Sequence, residues 1–279
     1  MQVNIYNKEL LANKGISPPT TVDELLDSAT KLTNPDLEIY GLVNRWGRGA
    51  GFFPFTAYLH TFGGEWFDED WHPILNNEAG IAAAEFVVES SRKAGPPGIS
   101  SYTWYECVHI MQEGKCAMFT DSNVFVPVLI DPSVSKIADK VGVARWPEGP
   151  GGWWPNYFCW SWGIPAVGKK KDVAWLFAEW TASYPVQLWQ AAGTLMPSVR
   201  SSTYEYTVIK KTWPEDYLRL TAESMGHCKT CPWIAEWPEL SDRWCVHQGK
   251  MIEGTEGVKE AVDAWCKEAE EVMRKAGYL

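Results

Sequence analysis

Cys228 and Cys231 flank two residues and follow His227, a spacing that suits a redox dithiol or half of a zinc knuckle. No second Cys or His pair stands at a fixed distance, and no βαβ pattern surrounds the motif. A structural disulfide or two inert thiols is therefore the simpler reading. The seven cysteines are an odd set, so at least one is free or paired outside the chain. Glu65 with Asp68 or Asp70, and Glu236 with Glu239, have the residue types of a glycosidase's carboxylate pair. Acids so close in sequence are more often a solvated turn. Gly47-Arg-Gly49-Ala-Gly51 lacks the Lys-Ser/Thr of a phosphate-binding loop, and no Gly-x-Ser-x-Gly, His-Glu-x-x-His or dinucleotide fingerprint occurs. The chain reads as a non-enzyme with no cofactor and no metal.

Aromatic chemistry is where the sequence departs from an ordinary globular chain. It holds 17 Trp, 11 Tyr and 10 Phe. An indole offers a flat face to the apolar side of a sugar ring and keeps an N–H for a hydrogen bond, which favours carbohydrate recognition. Filling the core is the competing use of any single indole. The densest stretch carries Trp153, Trp154, Trp160 and Trp162 within ten residues. Lys plus Arg total 25 against 35 Asp plus Glu, a formal charge of −10, so no field holds this chain on nucleic acid or an anionic membrane. No apolar run reaches the roughly 20 residues of a membrane span. The first residues, Met-Gln-Val-Asn-Ile-Tyr-Asn-Lys, lack the basic and apolar regions of a secretion signal.

The elements that must position these residues follow from pattern. At about 150 residues per domain, 279 residues suggest two domains. Short apolar segments at 3–6, 39–43, 116–120 and 141–144 read as strands. Thr21-Val-Asp-Glu24 is a capping box opening a helix over 21–33, and Asn76 or Asn77 caps another over 77–94. Further helices are expected at 8–14, 52–62, 102–112, 170–193 in two pieces, 214–225, 238–252 and 256–276. Strands alternating with helices predict an α/β chain with a mainly parallel sheet.

The order of segments resembles the extracellular solute-binding proteins of ABC-type sugar importers, the group that contains maltose-binding proteins. The matches include Val3-Asn-Ile-Tyr-Asn-Lys-Glu-Leu10, Pro18-Pro-Thr20 with Asp23-Glu-Leu-Leu26, Phe62-Gly-Gly64 with Trp66-Phe-Asp68, and Glu113-Gly-Lys115 with Ala117-Met118. Trp160-Ser-Trp-Gly-Ile-Pro165 with Ala174-Trp175, then Met196-Pro197 and Ala261-Val262, continue the order. Val22 stands where Trp is commoner. In that family a first lobe precedes the Ile-Tyr-Asn-Lys strand, whereas here Met1 lies two residues before it.

The resemblance implies a periplasmic-binding-protein-like fold, mainly one lobe with a parallel-rich sheet flanked by helices, plus hinge segments and a strip of the other lobe. Residues 1–7 would be a hinge strand, 8–158 the second lobe, 159–196 a crossover and remnant of the first lobe, and 197–279 the hinge and the rest of the second lobe. A covering surface for 170–193 would be missing. The implied function is to hold a sugar or sugar alcohol in an interlobe cleft and deliver it to ABC permease subunits in the periplasm or outside the cell. A truncated fragment without ligand is the alternative, and a carbohydrate-active enzyme a more distant one. The implied ligand-binding residues are Arg45, Trp46 and Arg48 in the glycine-rich loop, and Asp121 and Asn123 after the third strand, with Asp121 accepting from two vicinal hydroxyls. Trp160 and Trp162 sit at the crossover, on one face if it is extended. Arg200, Glu236 and Trp237 match cleft-lining positions. Ion pairing, helix capping and core packing are the plainer uses of the same residues.

Overall fold

A computed structural model describes residues 1–279. Four short strands, β1 (Gln2–Asn7), β2 (Tyr40–Val43), β3 (Cys116–Ser122) and β4 (Val141–Ala144), form one sheet in the order β2-β3-β1-β4. The helices are α1 (Lys8–Asn13), α2 (Val22–Leu32), α3 (Phe52–Thr61), α4 (Glu78–Ala94), α5 (Trp104–Gln112), α6 (Val126–Leu129), α7 (Lys171–Thr181), α8 (Tyr184–Thr194), α9 (Thr207–Thr212), α10 (Glu215–Ser224), α11 (Trp237–Glu253) and α12 (Val258–Ala276). The α/β class and the element order are as expected. The sheet is not parallel-rich: β2 and β3 pair in parallel, but β1 pairs antiparallel with both β3 and β4. Helical crossovers make β2, β3 and β4 point the same way, as the alternation predicts. The chain's opening strand then runs against them from between β3 and β4, and no local pattern encodes that insertion.

Local rules explain the helix starts. The Thr21 hydroxyl accepts the Glu24 N–H at 3.2 Å, while the Glu24 carboxylate returns to the Thr20 N–H at 2.8 Å, one residue before the usual capping-box partner. Asn77 caps α4 by accepting the Gly80 N–H at 2.8 Å. Gly41 in β2 lets α2 lie directly on the sheet, since a Cβ there would meet the Ala29 carbonyl oxygen at 1.8 Å. Helix α9 has no sequence signal, being Thr-Val-Ile-rich; it forms where Ile209 and neighbouring Tyr204 and Trp213 are buried.

The core divides the 17 indoles. Seven are buried: Trp46, Trp66, Trp146, Trp213, Trp237, Trp244 and Trp265. Trp66 is the hub, its ring 5.0 Å from those of Trp237 and Trp265, 5.3 Å from Phe55 and 5.5 Å from Trp244. Four of the buried indole N–H groups find partners, among them Trp146, which donates to Thr61 Oγ1 at 2.9 Å, and Trp265, which donates to the Leu240 carbonyl at 3.0 Å; those of Trp46, Trp237 and Trp244 have none.

Another seven indoles are exposed, and three of them, Trp175, Trp180 and Trp189, lie on α7 and α8. Helix α7 buries no residue, leaving Val173, Leu176 and Phe177 in contact with solvent as well. This is the uncovered apolar face expected for 170–193, and contiguous exposed apolar side chains of this kind mark a surface that something else covers. Helix α8 is anchored at one end, where Ala191 is buried and its carbonyl accepts from Trp213 Nε1 at 2.8 Å. Hydrogen exchange should therefore be fastest in 171–185 and slow in β3 and α12. Equal protection across these segments would contradict the exposure.

Candidate functional site

The parallel register of β2 and β3 sets Val43 beside Phe119, so the residues that follow, Asn44 and Arg45, meet Thr120 and Asp121 at the carboxyl end of both strands. Open α/β sheets bind ligands at this end. Arg45 Nη2 donates to Asp121 Oδ1 at 2.9 Å, and Nε stands 2.8 Å from Oδ2. The Ser122 N–H donates to the same carboxylate at 2.6 Å. Asp121 is fully buried; burial pushes its carboxyl above the ordinary value while Arg45 and the Ser122 N–H oppose the rise. The Arg45 side chain keeps 16% of its surface, with the guanidinium carbon 4.7 Å from the Phe53 ring centre and 5.9 Å from that of Phe125. Phe53 leads outward: its ring is 6.1 Å from Phe158, edge to face, and Phe158 is 5.1 Å from Trp160, which is 88% exposed. Together these make one arginine, locked by a buried carboxylate and flanked by aromatic rings that continue to the surface.

The structure thus brings two of the expected residues together, Arg45 and Asp121, and links a third, Trp160, to them only through Phe53 and Phe158. Asp121 differs in role from the expectation. Its Oδ1 accepts from Arg45 and the Ser122 N–H, and its buried Oδ2 lies 2.8 Å from Arg45 Nε, so it orients Arg45 and, being fully buried, does not face vicinal hydroxyls. Asn123 is also buried: its Oδ1 accepts from the Met1 nitrogen at 3.2 Å, and its Nδ2 donates to Thr221 Oγ1 at 3.1 Å. It ties β1 to α10 and does not line a cleft. Trp46 is a core residue with its ring 6.3 Å from Tyr58, because the loop carrying Arg45 outward turns the next side chain inward.

The remaining expected residues are placed elsewhere. Arg48 forms a bidentate pair with Asp242 of α11, both bonds 2.7 Å, at the surface. Arg200 is spent on α7, donating from Nε to the Ala182 carbonyl at the helix end. Trp237 is buried against Phe52 and Trp66, and half-buried Glu236 lies beside Tyr278. Trp162 is exposed but packs edge-on to Phe177 of α7 at 5.3 Å, so the crossover indoles have different neighbours. Sequence reasoning missed Phe53, Phe125 and Phe158. Only Phe158 carried a signal, its place in the aromatic run.

A second aromatic assembly fastens the crossover root. His227 is sandwiched between Trp153 (5.0 Å, 14°) and Trp154 (4.6 Å, 9°), with Arg145 over Trp153 at 4.1 Å and Lys229 over Trp154 at 4.8 Å. Lys229 also meets Glu65 at 2.5 Å, and His60 Nε2 meets it at 3.1 Å. Burial alone would raise the Glu65 carboxyl, but His60 and Lys229 outweigh it and bring it down to about 2. Glu65 is therefore an ion-pair member, while Asp68 Oδ1 accepts the Asp70 and His72 N–H groups, so neither carboxylate is free for acid–base work. The Cys228 thiol turns to the Ser224 carbonyl, and Cys231 Sγ to Thr56 Oγ1 at 3.4 Å; both cysteines are unpaired. No group of three or more His, Cys, Asp or Glu side chains is placed to hold a metal ion, and no helix is long and apolar enough to cross a membrane.

Comparison with known proteins adds to this geometry. A family profile described as bacterial extracellular solute-binding protein matches residues 1–188. A mannitol-binding protein of Pseudomonas aeruginosa is 31% identical over 242 residues, covering 80% of this chain and 52% of that protein. An ABC transporter solute-binding protein of Agrobacterium vitis S4 with bound D-mannitol superposes with a TM-score of 0.86 at 27% identity, over 99% of this chain and 71% of that one. A maltose-bound protein of T. maritima follows at 0.85 and 25% identity, over 97% and 70%. The chain spans about half the length of the curated relatives it matches.

Proposed function

The chain belongs to the bacterial extracellular solute-binding protein family, and from that premise we propose that it binds a sugar or sugar alcohol beside Arg45 for delivery to an ABC-type importer. The observation that supports this most directly is the preorganised arginine. Asp121 holds the guanidinium in one orientation, and Phe53 and Phe125 keep its surroundings dry, so its unused N–H groups are set to donate to ligand hydroxyls at little entropic cost. Trp160 supplies an exposed indole face on the crossover side. The ligand is held and released unchanged, since the carboxylates near the site are committed to ion pairs and turns. Closure around it would bring residues 8–158, as one lobe, toward a second lobe of which 159–196 is a part, and the permease would read that closure on the periplasmic or extracellular side.

Thermal denaturation in the presence of D-mannitol, ribitol and maltose tests the reading. A ligand at 100 times its Kd should add about 2.7 kcal/mol to stability. Arg45→Ala should abolish the shift. Unchanged melting with every sugar and polyol would favour the ligand-free fragment.

A further inference from the structure

At the opposite end of β2 from Arg45, where Tyr40 begins the strand, lies a cleft of about 510 Å³, within the size range of small-molecule sites. Its walls are the last turns of α4 and α11 and the turn at 95–100. Three side-chain bonds fix these walls to one another. Arg92 of α4 donates from Nε to the Ile252 carbonyl at 3.1 Å and from Nη2 to the Met251 carbonyl at 2.6 Å, and Ser100 donates to Glu253 Oε1 at 2.8 Å. Gly95 lets the turn close tightly, since a Cβ there would meet the Ser91 carbonyl oxygen at 2.6 Å.

Three groups lining the cleft keep unused hydrogen-bonding capacity. Ser91 is 5% exposed and its hydroxyl has no partner, whereas that of neighbouring Ser90 folds back to donate to the Val87 carbonyl at 3.2 Å. Arg92 spends two N–H groups on carbonyls and meets no carboxylate. Glu253 accepts from Ser100 and meets no cation, although it shares the cleft with Arg92; the other cation there, Lys93, is paired with Glu89 at 2.5 Å. A guanidinium and a carboxylate thus stand apart in one cleft, each without a counter-charge. Ile99 and Ile252, both buried, line the same cleft with apolar surface.

We propose that this cleft binds a small zwitterion with an apolar body, the chemistry of an apolar amino acid, as a site separate from the one beside Arg45. The ligand carboxylate accepts from Arg92 and from the Ser91 hydroxyl, its ammonium group donates to Glu253, and its side chain covers Ile99 and Ile252. A ligand with one charge fits less well. A simple anion leaves the Glu253 carboxylate uncompensated and is repelled by it, and a simple cation stands in the same relation to Arg92.

Calorimetric titration of the full chain with L-leucine and L-phenylalanine tests this, with 3-phenylpropionate and phenethylamine as the single-charge controls. At least one amino acid should bind, about tenfold tighter than either control. Glu253→Gln and Ser91→Ala should each weaken that amino acid about fivefold to tenfold. Glu253 is exposed and Ser91 gives up only an unpartnered hydroxyl, so both variants should melt with the parent. Arg45→Ala should leave amino-acid binding unchanged. Binding of neither amino acid overturns the proposal, as does a control that binds equally tightly, affinity unchanged in either cleft variant, or binding lost with Arg45→Ala. None of these results bears on sugar or polyol binding, which is read from its own melting shift.

Discussion

Asp121→Ala is expected to lower the stability of the chain by about 3 kcal/mol or more, because it strands a mostly buried guanidinium without its counter-charge. The carboxylate is fully buried and contacts Arg45 through both oxygens, so little solvent is at hand to replace it. Equilibrium urea unfolding with an unchanged m-value measures the loss. The double variant Arg45→Met with Asp121→Leu removes both charges and should recover most of the stability, since two apolar side chains of similar size avoid the desolvation cost altogether. Neither variant should bind ligand. That split separates the pair's contribution to recognition from its contribution to folding. A loss under about 1 kcal/mol in the single variant would mean that the pair behaves like an exposed ion pair and does not hold Arg45 in place.

Trp66→Ala is the second large effect. Trp66 joins α3, α11 and α12 through four aromatic neighbours, and its Nε1 donates to Thr56 Oγ1 at 3.2 Å. Removing the indole leaves a cavity that these helices cannot close without moving, and truncations of this kind cost about 3–5 kcal/mol. Chemical denaturation together with loss of the near-ultraviolet circular dichroism of the Trp237, Trp244 and Trp265 cluster would report it. Trp160→Ala is the control: with 88% of its surface in water, Trp160 fills no cavity and its removal should leave stability unchanged. A similar loss in both variants would show that the division of indoles between core and surface is misplaced.

The contrast between Trp46 and Trp160 marks how far the sequence was legible. Trp46 and Trp160 both stand in glycine-containing, aromatic stretches that read as ligand-facing, yet one is buried and the other exposed. Exposure depends on what packs over a residue, and for Trp46 that cover comes from Tyr58 of α3. Arg48 read as a ligand donor from its place in the glycine-rich loop, and Arg200 from the resemblance to cleft-lining positions. Their partners, Asp242 at 194 residues' separation and the Ala182 carbonyl at 18, decide otherwise. Asp121 was singled out by an expected place after a strand; it lies within β3, and its role depends on Arg45, 76 residues earlier in the chain.

By itself, then, the sequence determined what nearest neighbours determine: helices where apolar residues repeat every three or four positions, starts where Thr21 and Asn77 accept backbone N–H groups, and an order of segments specific enough to identify the family. Capping and periodicity act within a turn or two, so they survive without knowledge of the fold. Only the tertiary structure decided that β1 enters the sheet antiparallel, that Asp121 is spent on Arg45, and which of the many indoles face water. Those outcomes arise from strand register and helix packing between residues far apart in the chain, where a single pairing moves a side chain from one environment to another.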